Sequence, residues 1–405
     1  MTTNFIIPPY LIENLHRTAT SDAARAVYQQ TLEHDHALRA QRAAGTATAP
    51  LGAAEEPAEG PARVIYDAGH GTDLPGDQAR AEGDEPTSDR SVDQAYDGIG
   101  ATWKMFEECF GRDSIDGEGM QLISTVHYDR DYNNAFWNGQ QMVYGDGDGE
   151  IFDRFTTIDI TGHELTHGIT ENTAGLDYQD QSGALNESIS DVFGSLTKQY
   201  ALGQTAEEAD WIIGEGVFKP GVEGAGLRSM KAPGTAYDDP RLGKDPQPAD
   251  MDGYVNTTED NGGVHINSGI PNRAFYLTAS KIGGNAWEGA GQIWYDTLTN
   301  GSLAKNANFA DFAAATIDSA QQRFGADSAE VRAVSEAWQE VGVEVAGPST
   351  DGRESDLSRF IGDPSHAHAA AAPGGVTPGG LAPGSTASAD RPAATRTPGG
   401  RGIGR

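Results

Sequence analysis

The spacing His163-Glu164-Leu165-Thr166-His167 limits the fold more than any other feature of the chain. On a helix two imidazoles four residues apart lie one turn apart on one face, close enough to reach a single ion, and Glu164 projects beside them. The segment can start a helix near Thr157, with Thr156 and Asp159 in the spacing of a capping box. A second helical pattern, over residues 182–196, carries Asn186-Glu187-Ser188-Ile189-Ser190-Asp191. Glu187 can complete a two-histidine, one-carboxylate set that leaves a position for water, the arrangement of catalytic zinc. Asp191, one turn on, can accept the second ring N–H of a ligating histidine. Taken alone, each acid reads as part of a solvated helix face. Together they require a fold in which the two helices pack side by side.

Charge narrows the function. The 405 residues include 28 Lys and Arg against 60 Asp and Glu, a formal charge of −32, and residues 63–345 hold 18 of the basic and 48 of the acidic groups. Nucleic acid or an anionic membrane surface would have to be bound against that field, so neither is expected as a partner. Cys109 is the sole cysteine, which excludes an intramolecular disulfide framework and a cysteine-based metal site. The first ten residues, Met1 to Tyr10, hold neither the cationic region nor the apolar run of a secretory signal. No stretch approaches the roughly 20 apolar residues of a transmembrane helix. A soluble protein is expected.

Residues 21–44 read as one helix capped by Ser21 and standing apart as a separate N-terminal unit, and residues 45–62, rich in Ala, Gly, Pro and Glu, read as a linker. Val92, Ala95, Tyr96, Ile99, Trp103 and Phe106 mark an amphipathic helix, and residues 121–127 and 140–144 two strands. Gly145-Asp146-Gly147-Asp148-Gly149 is read as a turn, because the remaining ligands of a calcium loop are missing. Helical periodicity dominates afterwards, over 285–299, 309–324 and 329–341 among others. Residues 346–405 have a Pro, Gly, Ala, Ser and Thr composition that predicts a disordered tail.

The zinc-type set does not stand alone. Asn133-Asn134-Ala135-Phe136-Trp137-Asn138, Gly145–Gly149 and Thr173-Ala174-Gly175-Leu176-Asp177-Tyr178-Gln179 flank it. Leu227-Arg228-Ser229-Met230 and the run from Asp260-Asn261-Gly262-Gly263-Val264-His265 to Gly269 follow. In this order, over residues 64–345, the chain resembles the thermolysin family of zinc endopeptidases. The resemblance implies an α+β fold of two lobes: a β-rich N-terminal lobe at 64–174 and an α-helical C-terminal lobe at 175–345, with the active-site cleft between them. It implies zinc on His163, His167 and Glu187, with Asp191 behind them and Glu164 moving the proton. Tyr178 and His265 would stabilise the oxyanion, with Asp260 orienting His265. Asn134, Ala135 and Arg228 would bind the substrate backbone, and Ile160 and Leu227 would line an apolar pocket. Cleavage of proteins or peptides before Leu- or Phe-like residues is expected.

Ile7-Pro8-Pro9-Tyr10 followed by a single helix is similar to the short propeptide of protealysin-like members, as is the Val64-Ile65-Tyr66-Asp67 start of the body. Residues 1–50 are thus expected to hold the enzyme inactive as its own partner until the 51–63 linker is cut. Asp159, Asp210 and Glu215 match acidic positions that bind calcium in the family, but Lys198 stands where a shared glutamate would be and Ile212 replaces another acid. That exchange argues against a calcium pair and leaves one weakly held calcium, or none. Rival readings are a zinc aminopeptidase on the same helix pair and an inactive peptide-binding relative. A monomer is expected, secreted by family resemblance without a recognisable signal, with a cytoplasmic location as the alternative.

Overall fold

The computed structural model describes residues 4–43 and 60–345. The expected tail at 346–405 and most of the linker lie outside the described residues. In chain order the first elements are β1 (Asn4–Phe5), α1 (Pro9–Thr18), α2 (Asp22–Ala43), β2 (Arg63–Asp67), β3 (Asp77–Ala81) and α3 (Arg90–Phe110). Asp89 caps α3, accepting from the backbone N–H groups of Ser91 and Val92, and Gly111 closes it in the left-handed region at φ 64. Strands β4 (Leu122–Val126), β5 (Ala135–Trp137) and β6 (Met142–Tyr144) follow. Six strands form one sheet in the order β1-β5-β6-β4-β2-β3, with β2, β4 and β6 parallel and β5 antiparallel to β6.

The N-terminal segment differs from expectation. It holds two helices rather than one, and it does not stand apart. Strand β1 pairs antiparallel with β5, so residues 4 and 5 supply the sheet edge. Ile6, Ile7, Leu11, Ile12, Leu15 and Tyr28 are buried in the same apolar cluster as the body. A helix at residue 9 went unforeseen because Pro8-Pro9 reads as extended chain, yet proline is well suited to the first helical position, and Pro9 takes it.

Helices α4 (Ile158–Glu171) and α5 (Asp180–Leu202) form the centre. Both are enclosed, α4 from Asp159 to Thr170 and α5 from Ser182 to Gln199. Glycines bring them together: a Cβ on Gly194 would lie 2.5 Å from the Asp159 carbonyl oxygen, and one on Gly162 would lie 3.0 Å from Gly194 Cα. Only bare backbone permits that approach. The capping box does not form. Thr157 is the cap residue without a side-chain capping bond, its hydroxyl donates to Asp159 Oδ1, and Thr156 turns away to Gln94.

Small strand pairs, β7 (Ile212–Ile213) with β8 (Arg228–Ser229) and β9 (Asp238–Asp239) with β10 (Gly243–Lys244), lead into the last helices. These are α6 (Asp260–Asn267), α7 (Gly269–Ile282), α8 (Ala290–Thr299), α9 (Phe309–Phe324) and α10 (Ala329–Glu340). Helix α8 begins five residues later than its periodicity suggests, and α7, which opens Gly269-Ile270-Pro271, falls in the stretch where helices are expected. The architecture is the expected one, a β-containing N-terminal part followed by a helical C-terminal part. Gly145–Gly149 is a turn tied by its own aspartate: Asp148 Oδ1 accepts the backbone N–H groups of Glu150, Ile151 and Phe152.

Candidate active site

His163 and His167 lie one turn apart on α4 with their Nε2 atoms 3.0 Å from each other. Glu187 enters from α5, its oxygens 3.6 Å from His163 Nε2 and 3.4 Å from His167 Nε2. All three side chains are fully buried. The outer ring nitrogens are fixed from behind. His163 Nδ1 is 2.8 Å from Asp191 Oδ1, and His167 Nδ1 is 2.8 Å from Asn186 Oδ1, whose own amide donates to the Leu176 carbonyl. With Nδ1 donating on both rings, two Nε2 lone pairs and a carboxylate face one another in a buried space. Such a set repels itself unless a cation lies between its members.

The residues fit zinc. At zinc–donor lengths of about 2.0–2.1 Å, tetrahedral angles set neighbouring donors about 3.3–3.4 Å apart, close to the three separations above. Glu187 Oε2 has no hydrogen-bond partner, which a ligand atom awaiting a metal should lack. A set of two imidazoles and one carboxylate suits zinc better than a hard cation such as calcium.

Glu164 sits beside this set. Its Oε2 accepts the Trp137 backbone N–H at 3.0 Å, while Oε1 is buried and unpartnered. Tyr178 donates to Glu187 Oε1, and its hydroxyl is 3.3 Å from His265 Nε2. His265 is delivered by a backbone that few residue types tolerate: Asp260, Asn261, Gly262 and Gly263 run at φ 50, 51, 84 and 77. A Cβ on Gly262 would lie 2.1 Å from Asp180 Oδ1. This left-handed run folds Asp260 back, so that Oδ2 accepts the His265 backbone N–H at 2.9 Å and Oδ1 meets Nδ1 at 2.7 Å. Burial disfavours the His265 imidazolium, but Asp260 and Glu187 outweigh it and raise the pKa above the ordinary value.

Arg228, expected only as a substrate contact, is tied to the metal side of the site. Its guanidinium grips Asp191 with two bonds of 2.8 Å, and Asn272 donates to Asp191 Oδ2 at 2.8 Å. Burial would raise the Asp191 carboxyl, yet Arg228 and His163 hold it well below the usual carboxylate range. Asn134 and Ala135, at the start of β5, face the N-terminal segment. Ile7 N–H donates to Asn134 Oδ1 at 2.9 Å, and Ile6 N–H donates to the Ala135 carbonyl at 3.1 Å. Helix α2 fastens the same loop: Asp35 accepts from Tyr132 Oη at 2.5 Å and Asn134 Nδ2 at 2.8 Å, and burial pushes its carboxyl up to about 6.

At the acidic positions expected for calcium, the carboxylates gather around a lysine ammonium. Lys198 Nζ lies 2.6 Å from Asp210 and 2.7 Å from Glu215. Asp159 instead accepts the Gly214 backbone N–H at 2.7 Å. Three contributors escaped the sequence reading. Asn186 and Asn272 are polar residues inside helices with no partner visible in sequence. The third is the Gly162/Gly194 contact, for which a glycine inside each helix was the available signal.

The description "Thermolysin metallopeptidase, catalytic domain" matches residues 57–171, and "Thermolysin metallopeptidase, alpha-helical domain" matches residues 174–343. The chain belongs to the thermolysin family of metallopeptidases and is a metalloendopeptidase. An extracellular metalloprotease of Pectobacterium carotovorum subsp. carotovorum is 54% identical over 344 residues, 84% of this chain and 96% of that protein. Protease PrtS of a Photorhabdus species is 48% identical over 344 residues, 84% of this chain and 92% of that protein. Among solved structures, the precursor of protealysin, a metalloproteinase from Serratia proteamaculans, is 52% identical with a TM-score of 0.77, covering 84% of this chain and all of that one.

Proposed function

We propose that the chain is a zinc-dependent neutral endopeptidase, made as a zymogen, that cuts peptides on the N-terminal side of bulky apolar residues. The observation that carries the reading is the buried convergence of His163, His167 and Glu187, with Glu164 beside them holding one unpartnered oxygen. His163, His167 and Glu187 would hold the zinc. When bound, zinc supplies Lewis acidity at the scissile carbonyl and acidifies a water. Glu164 takes the proton of the attacking water on its free oxygen and returns it to the leaving amine. Its other oxygen, anchored on the Trp137 N–H, keeps it in place. Tyr178 and His265 donate to the developing oxyanion, and Asp260 holds the His265 ring. Asn134, Ala135 and Arg228 hold the substrate backbone. Asp191 and Asn186 fix the imidazole tautomers. Ile160 and Leu227 are buried apolar groups that suit a pocket for the residue after the cut.

In this reading residues 1–50 are the propeptide, residues 51–63 the linker in which it is removed, and residues 64–174 and 175–345 the two catalytic lobes. The contacts of Ile6 and Ile7 with Ala135, Asn134 and Arg228 support inhibition by occupancy. Relatives named as extracellular proteases support export. Among the described residues no helix is long and apolar enough to cross a membrane.

Glu164→Ala tests the roles. The variant should retain one zinc and lose at least about 100-fold in hydrolysis of a peptide blocked at both ends. Retained activity would overturn the assignment, and a requirement for a free amine would favour an aminopeptidase.

A further inference from the structure

The N-terminal segment does more than cover the cleft. Phe5 O is 2.9 Å from His265 Nε2, the nitrogen that Tyr178 Oη also approaches at 3.3 Å. The next carbonyl, that of Ile6, accepts from Arg228 Nη1 at 3.0 Å, and the Ile6 N–H donates to the Ala135 carbonyl. Ile7 is clamped by both ends of one amide: its N–H donates to Asn134 Oδ1 at 2.9 Å, and its carbonyl accepts from Asn134 Nδ2 at 3.3 Å. Upstream, Asn4 and Phe5 pair with Trp137 and Phe136 as an antiparallel strand, beside the Trp137 N–H that anchors Glu164.

Asn134, Ala135, Arg228 and His265 are thus each met by particular backbone atoms of this segment. A plug that blocked the cleft by bulk alone would have no reason to satisfy them in order. The carbonyl at His265 Nε2 belongs to Phe5, so the amide held at the site joins Phe5 to Ile6. The residue following that bond is isoleucine, fully buried in the same apolar cluster as Ile160 and Leu227. This matches the proposed preference for a bulky apolar residue just after the cut.

We infer that the Phe5–Ile6 bond is an intramolecular substrate, cut once by the chain that carries it. The inference rests on the endopeptidase reading above. A water adds to the Phe5 carbonyl carbon, the C–N bond to Ile6 breaks, and Glu164 carries the water proton to the departing amine. The products are a carboxylate ending at Phe5 and a chain that starts at Ile6. Residues 6 to 43 stay in place after the cut, because the contacts of Ile6, Ile7, Tyr28 and Asp35 all lie on the retained side. The cut therefore does not open the cleft.

The experiment uses the full chain, prepared metal-free and then given zinc, followed by intact-mass measurement and N-terminal sequencing over time. Expected is a chain starting at Ile6, formed at a first-order rate that does not change on tenfold dilution, and absent in Glu164→Ala. Ile6→Asp should slow the cut at least 100-fold, whereas Ile6→Leu, which keeps the apolar side chain, should preserve it. Linker-processed enzyme from the same preparation is assayed on a blocked peptide. If that enzyme cleaves the peptide while the zinc-loaded full chain keeps its Phe5–Ile6 bond, the inference falls and the endopeptidase reading stands. If the blocked peptide also survives, the endopeptidase reading falls with it. A rate that rises with protein concentration would show cutting between molecules and overturn the intramolecular claim.

Discussion

Lys198 allows a quantitative test of how the acidic cluster beside α4 and α5 is neutralised. Its ammonium lies 2.6 Å from Asp210 and 2.7 Å from Glu215, whose side chains are 38% and 57% exposed. Burial disfavours the charged lysine, but Asp159, Asp210 and Glu215 outweigh it and raise the pKa. Lys198→Glu removes that cation and adds a fourth carboxylate. Unit charges about 4 Å apart interact by about 4 kcal/mol at an effective dielectric near 20 and about 1 kcal/mol in water. Because both partners are substantially exposed, the lower part of that range applies. Summed over the lost attractions and new repulsions, the variant should lose on the order of 2–4 kcal/mol. At about 2–4 °C per kcal/mol its Tm should fall by about 5–15 °C in chelator. The substitution also puts a carboxylate back among Asp159, Asp210 and Glu215, so saturating calcium should return part of the loss: a ligand at one hundred times its Kd adds about 2.7 kcal/mol. The assay is thermal unfolding in a Glu164→Ala background, to prevent self-digestion, with calcium or chelator. Lys198→Met, as a neutral control, should fall less and ignore calcium. Wild type responding to calcium as strongly as the glutamate variant, or the variant melting at the wild-type temperature in chelator, would refute the argument.

Two further outcomes are expected. Asp191→Asn weakens the hold on both His163 and Arg228, so zinc affinity measured by chelator competition should drop about 10–100-fold with the helices still folded; unchanged affinity would remove Asp191 from the zinc site. The His127 imidazolium, bonded to Asp146 at 2.7 Å and Asp89 at 3.1 Å, has its pKa raised to about 9, mainly by the Asp146 hydrogen bond against the opposing effect of burial. Its folded pKa exceeds the unfolded one, so its stabilisation is complete below about 6.5 and disappears as pH rises through about 9. After allowance for screening this is on the order of 1–2 kcal/mol, and Asp146→Asn should flatten that part of the stability–pH curve.

The chemistry-bearing helices were legible in sequence because their signal is local. Histidines at i and i+4 with a glutamate between them declare both a helix and its chemistry, and Glu187 with Asp191 repeats the same spacing on the next one. The amphipathic helix at Arg90–Phe110 and the helix at Phe309–Phe324 were likewise written in periodicity. Strand β5 was not, since three residues are too few for an alternating pattern. Its edge partner lies about 130 positions earlier in the chain.

The sequence by itself determined which histidines and acids come together and the helices that carry them, because each depends on spacings of a few residues. Tertiary structure alone decided that Gly162 and Gly194 meet, that Arg228 and His163 share Asp191, and that Lys198 sits among the acids. It also decided that residues 4 to 7 thread the cleft with Phe5 O at His265. These are meetings between distant segments, fixed by how enclosed helices pack and where an unpaired sheet edge finds a strand, and no local pattern encodes them.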